Sequence, residues 1–373
     1  MRTHFLIPEE RIYLNNGTLG PSPRIVLDAL IEHQTRVAST LPPGVPWGDV
    51  KAAVASVVGG DPEGFVFPRN TTEAMSFIAN GLEIVAGDDI VTTDHEHIGG
   101  LEPWRAVAAR RRATVTVASL PVPAVSGEEL LEAIWSAVGP ATRVVSVSQM
   151  TFTTGTLLPT AELHERCRAA GIVLVVDGAH PPGMLQTDVS VTGGDMFATS
   201  PHKWMLAPQG TGLLYLSPEW RDRLHPTLAS GGWDDASLGA HRLNHMGTLD
   251  ESRPIGLMAA AAFVEAIGLE RVEGRVRALR GRLEGGLRAI DRVEVVTPTD
   301  ESLKGGIVSF SLHGVESAEL QRHLSRAGGV RTRVIGEYDY GWMRLSTHIY
   351  NSPSQIDRVL EMIADVARNG IPS

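Results

Sequence analysis

The sequence predicts an α/β fold in which helices cover a mostly parallel sheet, with a smaller α+β domain beyond it. Three observations predict this. Short β-branched runs recur through the earlier part of the chain and are apolar on both faces, as strands buried between two helix layers must be. Helix-like segments separate most of these runs, which is the pattern of successive β–α–β units. A polar, glycine-rich connection then breaks the alternation.

In chain order, "PRNTTEAMSFIANGL" reads as an apolar-periodic helix with Asn70, Thr71 and Thr72 at its start. The runs "DDIVTTD", "ATVTVAS", "RVVSVSQ", "IVLVVDG", "DMFATS" and "GTGLLYLS" read as strands, and "EPWRAVAARRR", "GEELLEAIWSAV" and "TAELHERCRAA" as helices among them. The last two strands leave no room for a helix between them, which predicts one antiparallel member. The third helix starts near Thr160 and ends at Gly171, with Leu163 and Cys167 on its apolar face. Cys167 is the only cysteine, which excludes an internal disulfide, and it reads as a packed thiol. Around "GGWDDASLGAHRLNHMGTLDESRP" the pattern breaks, and a long helix begins near Pro254. Residues 21–250 are therefore expected to form the large domain, and residues 1–20 with 251–373 the small one. The latter carries the strands "RVEVVTP" and "GGIVSFSL" and the helices "SAELQRHLSRAG" and "SPSQIDRVLEMIADVARNG".

Composition removes whole classes of function. A chain of 373 residues with net charge −10 and no basic run does not have nucleic acid as its main partner. "MRTHFLIPEERIYL" has no apolar signal core, and no apolar run approaches the ~20 residues of a membrane span. A soluble, cytoplasmic protein without a membrane partner is expected.

Lysine is scarce. Of 33 basic residues only Lys51, Lys203 and Lys304 are lysines, so arginine serves wherever a surface cation is enough. The amine in "TSPHKW" supplies chemistry that a guanidinium cannot, because lysine readily loses its proton and attacks a carbonyl. Chance in an arginine-rich composition is the plain alternative.

In open α/β sheets ligands gather beyond the carboxyl ends of the strands, and several strands here run into polar residues. "IVLVVDGAH" drives into Asp177, with His180 three residues on, and "GAHPPG" is no helix start for Asp177 to cap. Asn70, Thr71 and Thr72 offer backbone N–H groups and hydroxyls to an anion, although a plain N-cap is the commoner use of such residues. "TTDHEHIGG" places His95 and His97 after another strand. No third distant ligand joins them, so no metal is expected. A lysine, an aspartate, a histidine and a helix start fit for phosphate are together what pyridoxal phosphate requires.

With these motifs in place, the chain resembles the class V aminotransferase-like enzymes of pyridoxal-phosphate fold type I, from "YLNNGTLGPSP" to "WMRLSTHIYNSPSQIDRVLEMI" and in order. The family includes cysteine desulfurases, selenocysteine lyases, kynureninase and isopenicillin N epimerase. The resemblance implies Lys203 as the Schiff-base lysine, with His202 and Ser200 on the cofactor phosphate. It implies Asp177 at the pyridine nitrogen, His180 at the ring 3-oxygen and His97 flat on the ring. Thr72 and Thr71 fall at the phosphate cup, and Thr248 in "MGTLD" resembles a residue that reaches the neighbouring subunit's phosphate, so a homodimer is implied. Arg344, with Asn16, is expected on the substrate, a small-molecule amino acid held by its α-carboxylate.

Two departures qualify the likeness. The loop "GGVRTRVIGEYDYGW" lacks the nucleophilic cysteine of the desulfurases, so a cysteine desulfurase is not expected. Phe152 in "SQMTFTTG" replaces an asparagine common beside the cofactor, which moves the sequence toward the epimerase and kynureninase branches. The expected activity is therefore epimerisation or β-elimination of the C–S lyase type, with transamination as the alternative. An epimerase also needs a second proton carrier, for which Tyr338, Tyr340 and His348 are candidates. Ser200-Pro-His-Lys203 also matches the S-x-x-K of serine acyltransferases, but neither S-D-N nor K-T-G occurs. A nicotinamide dehydrogenase is disfavoured because no G-x-G-x-x-G joins a strand to a helix.

Overall fold

The computed structural model describes residues 1–40, 44–244 and 247–372. In chain order it begins with β1 (Ile12–Tyr13), α1 (Arg24–Thr40), α2 (Trp47–Val58), β2 (Phe65–Val66), α3 (Thr71–Gly81), β3 (Asp89–Thr93), α4 (Ile98–Arg111), β4 (Thr114–Ala118) and α5 (Gly127–Trp135). There follow β5 (Thr142–Ser148), α6 (Thr160–Ala170), β6 (Val173–Asp177), α7 (Val189–Thr192), β7 (Met196–Thr199), β8 (Leu213–Leu216), α8 (Ser252–Ile267) and α9 (Leu269–Arg288). Last come β9 (Val293–Val295), β10 (Ile307–Leu312), α10 (Ser317–Gly328), β11 (Val330–Arg331), β12 (Arg333–Ile335), β13 (Trp342–Ser346) and α11 (Pro353–Asn369).

Among the described residues the central sheet has seven strands in the order β2-β8-β7-β6-β5-β3-β4. The pairs from β4 through β7 are parallel, and β8 is antiparallel to β7 as expected from the short connection. The two-residue β2, which the sequence did not announce, adds a second antiparallel pair at the edge. Both faces of the sheet are dry. Leu174, Val176 and Phe197 point into one core cluster and Val175, Met196 and Ala198 into the other, which explains strands without a polar face. Each fully buried Val or Leu contributes about 1.5–3 kcal/mol by leaving water.

Local signals set the helix ends near the site. The Asn70 carboxamide oxygen accepts the Glu73 N–H at 2.9 Å and so starts α3, leaving Thr71 and Thr72 in its first turn. His97 caps α4, which begins four residues before the apolar stretch read from the sequence.

A second sheet, β12-β13-β10-β9, packs with α9, α10 and α11 around Phe310, Met343, Leu345 and Ile363. The polar connection that marks the expected division is followed by α8, whose apolar face returns to α1 and α2. Leu257, Ala260 and Ala261 of α8 join Val50 and Val54 in one core cluster. The second sheet's core is fed by Ile12 and Leu14 of the N-terminal segment and then by the chain from α9 onward. Among the described residues no helix is long and apolar enough to cross a membrane.

Candidate active site

Between β3 and β5 the connections turn to opposite sides of the sheet, the place where open α/β sheets leave a crevice. At the carboxyl ends of β5, β6 and β7 the register sets Ser148 beside Asp177 and Asp177 beside Ala198. A cavity of about 280 Å³ opens there. Thr71, Thr72, His97, Asp177, His180, Ser200, His202, Lys203 and Arg344 all line it. The structure thus gathers side chains from α3, the β3–α4 turn, β6, the β7–β8 connection and β13.

Lys203 follows β7 in a turn in which its N–H donates to the Ser200 carbonyl at 3.0 Å. The N-terminal segment runs directly past it. Gly20 N–H donates to the His202 carbonyl, and a Cβ on Gly20 would stand 2.0 Å from the Lys203 carbonyl oxygen, so no larger residue fits. The dry wall around the amine lowers its pKa to about 8. Arg344 and Arg333 act in the same direction, and Asp177 opposes them. Asp177 is buried, its carboxyl pushed up by burial while Lys203 and the Ala179 N–H at 3.0 Å pull it down. The α4 backbone closes over it, for a Cβ on Gly100 would lie 2.8 Å from Asp177 Oδ2.

The three histidines of the cavity are kept neutral. Burial first, then Lys203, lowers His97 and His202 to about 4 and takes His180 well below its usual range. His180 Nδ1 accepts the Trp204 indole N–H at 3.0 Å, which leaves the proton on Nε2. That nitrogen is buried and has no partner among the described residues. His97 Nδ1 accepts the Gly99 N–H at 3.1 Å, so its proton also sits on Nε2, and the ring meets Phe152 edge-on at 5.2 Å. His202 Nδ1 lies 3.1 Å from the Thr211 carbonyl and is a donor there. At the start of α3 the Thr71 N–H donates to Ser200 Oγ at 3.0 Å, and the two hydroxyls share a hydrogen bond at 2.7 Å.

Arg344 is fully buried and has no acidic partner among the described residues. It donates to the Phe152 carbonyl at 3.0 Å and to Thr18 Oγ1 at 2.9 Å, and its Nε has no acceptor. Burial, with Arg333, lowers its pKa to about 9.

Other expected residues lie elsewhere. Asn16 does not line the cavity, because its amide is committed to the Lys203 carbonyl at 3.3 Å and to the Tyr350 hydroxyl at 3.0 Å. Thr248 is exposed and outside this cavity in the single chain. Neither Tyr338, Tyr340 nor His348 lines it. Their polar atoms bond to the Glu96, Asp94 and Trp204 carbonyls respectively. His95 is buried against Thr153 Oγ1 at 2.5 Å and stacks on Tyr340. Among the lining residues, Thr18, Ser148 and Arg333 escaped the sequence reading. Arg333 had a signal, as a second arginine in "GGVRTRVIGEYDYGW" close before Arg344. Thr18 and Ser148 had none beyond their polarity.

A family model described as aminotransferase class-V matches residues 47–359. Isopenicillin N epimerase of Streptomyces clavuligerus is 30% identical over 388 residues, covering 97% of this chain and 96% of that protein. A probable cysteine desulfurase of Pyrococcus abyssi is 27% identical over 408 residues, covering 99% and 97%. A solved structure of C-DES, a mutant with glycine covalently linked to the PLP cofactor, superposes with a TM-score of 0.87 at 24% identity over 98% and 99% of the two chains, a likeness of fold. The desulfurase-named relative overturns the expectation that set this chain apart from cysteine desulfurases. That expectation rested on one missing loop cysteine. A single loop position is free to vary without disturbing the framework, whereas the likeness runs through nearly the whole chain.

Proposed function

The chain belongs to the class-V aminotransferase family, and from that premise we propose that it removes the Cα proton of an amino acid with pyridoxal 5′-phosphate bound at Lys203. The observation that carries this reading is the cavity itself, which combines an amine held near pKa 8, a buried carboxyl and a buried arginine lacking an acidic partner. The residues fit the cofactor. His180 Nε2 is a buried donor in want of an acceptor, and the first turn of α3 presents Thr71 and Thr72 with Ser200 and His202 beside them. On this reading Thr71, Thr72, Ser200 and His202 hold the phosphate, Asp177 the ring nitrogen and His180 the ring oxygen. Thr248 reaches the site of a second copy in a homodimer.

When bound, pyridoxal phosphate supplies an electron sink for the pair left at Cα. The protein's part is positioning and proton transfer. Arg344 offers N–H donors in a fixed plane to the substrate α-carboxylate. Lys203, deprotonated to a useful extent near neutral pH, takes the Cα proton. His97 is the cavity's other candidate proton carrier, since Nδ1 is occupied and Nε2 bears the hydrogen.

We favour epimerisation, supported by the isopenicillin N epimerase relatives at 30% identity over 97% and 95% of this chain. β-Elimination with C–S cleavage is the second reading, supported by the desulfurase-named relatives. Incubating the cofactor-loaded protein with L- and D-amino acids in deuterated water separates the two. Deuterium at Cα with inverted configuration marks epimerisation, and a keto acid with ammonia marks elimination. Amino transfer to an added keto acid would instead establish the transaminase alternative. Absence of Cα exchange with every amino acid, or exchange that persists in Lys203→Ala, would sink the reading.

A further inference from the structure

Two arginines stand side by side at this cavity. In the antiparallel pair β12–β13, Arg333 lies opposite Arg344, and both residues line the cavity. Like charges directly opposite on neighbouring strands are destabilising, so such a pair calls for compensation. The fold treats the two differently. Arg344 is fully buried and meets only neutral acceptors. Arg333 is partly exposed, is tied to Glu337 four residues on, and stands 5.5 Å over the ring of Phe152. Phe152 therefore serves both arginines, its carbonyl accepting from Arg344 and its ring facing Arg333.

Among the protein's own lining side chains the basic ones outnumber the carboxylates, and on the reading above the cofactor phosphate at Thr71, Thr72, Ser200 and His202 answers part of that excess. Lys203, Arg333 and Arg344 face Asp177 as the one carboxylate among the lining residues, and the lining histidines are neutral. Glu337 tethers Arg333 without lining the cavity itself. An amino-acid α-carboxylate answers Arg344 alone. Arg333, paired with Glu337 outside the lining, still presents its guanidinium to the cavity beside the Phe152 ring, where a second anionic group on the substrate would meet it.

We propose that Arg333 is a specificity-determining residue, and that the amino acid taken by this site carries a second carboxylate at the end of its side chain, which Arg333 binds beside the Phe152 ring. This rests on the reading of Arg344 as the α-carboxylate clamp of an amino-acid enzyme. The side-chain carboxylate shares the Arg333 guanidinium with Glu337 or displaces it, and an uncharged side chain of equal length leaves the Arg333–Glu337 pair as it stands.

The test uses the cofactor-loaded protein and matched amino acids. Aspartate, glutamate and 2-aminoadipate are titrated beside asparagine, glutamine and norleucine, in both configurations, and binding is read from the cofactor's visible absorbance and by calorimetry. At least one dicarboxylate is expected to bind about tenfold or more tighter than its uncharged counterpart, the size of a charge-assisted pair partly open to solvent. Arg333→Gln should erase that ratio by weakening the dicarboxylate alone, and Arg333→Lys should restore part of it. Arg344→Lys should weaken both members of each pair alike. Equal affinities within every pair, or a preference that survives Arg333→Gln, overturns the assignment and leaves Arg333 as a structural partner of Glu337, with the amino-acid reading intact. If no amino acid of either set binds, this assignment falls, and the amino-acid reading is decided separately by the Cα-exchange test across all amino acids.

Discussion

Lys304 is buried and Lys203 half-buried in the site cavity, and they keep opposite electrical company. Lys304 is 2% exposed, with its amine 3.1 Å from Glu284 and 2.8 Å from Glu301. Arg280 closes the cluster by binding the same two carboxylates. Lys51 is likewise paired, 3.1 Å from Glu63. Lys203 forms no salt bridge among the described residues. Asp177 is the acid that acts on it, against burial and two arginines that all favour the neutral amine. A buried lysine held between carboxylates becomes a strut. A lysine surrounded by dry wall and other cations gives up its proton easily and becomes a reagent.

The largest effect should come from truncating the reagent. Lys203→Ala is expected to lose the visible band of the bound cofactor and to drop turnover by about three orders of magnitude or more, as removal of an attacking amine does. An intact band in that variant, reducible onto Lys51 or Lys304, would abolish the distinction between the lysines.

Arg344→Lys should come next. A single compact charge cannot reproduce the planar donors of a guanidinium, so kcat/KM should fall by on the order of 2–5 kcal/mol while the cofactor band stays. Equal processing by both forms would show that the cavity does not use Arg344 as a clamp.

Lys304→Met should then cost stability and spare the cofactor. Removing one partner of a buried ion pair costs about 3 kcal/mol, toward the lower end here because Arg280 and Arg288 still neutralise Glu284. Urea melts followed by circular dichroism measure the loss. A lost visible band at unchanged stability would reverse the roles given to the two lysines.

The smallest effect is a matter of pH. A lysine pKa lowered from 10.5 to about 8 leaves the reactive neutral amine in the majority above pH 8, and it is lost as pH falls. Cofactor uptake by the apo-protein should therefore slow about tenfold per unit below pH 8 and level off above it. A rate that keeps rising to pH 10 would place Lys203 among ordinary lysines.

Much of this was legible along the chain, because the signals involved are local. Val173 to Val176 announce a buried strand by their own apolarity, and Asp177 stands out because it ends that run. Asn70 lies where a helix begins, His97 follows the end of a strand, and Lys203 is conspicuous in a chain that otherwise chooses arginine. The structure brings most of the side chains so singled out to one cavity. Asn16 misled the reading for an equally physical cause. "YLNNGTLGPSP" carries two adjacent asparagines, and nothing in the string tells which turns toward Arg344. Asn15 does, at 3.5 Å, while Asn16 turns to Tyr350.

By itself, then, the sequence determined the layers of the fold and the residues that close its strands, since apolar periodicity and capping act over a few residues. Tertiary structure decided what those residues face. The pairing of β12 with β13 set Arg333 opposite Arg344, and the return of the N-terminal segment carried Thr18 to an arginine 326 residues away. Trp204 chose the tautomer of His180, and Asp177 together with Arg333 and Arg344 set the proton affinity of Lys203. These are long-range contacts and electrostatic fields. They depend on strand register and chain path through space, which no window of neighbouring residues contains.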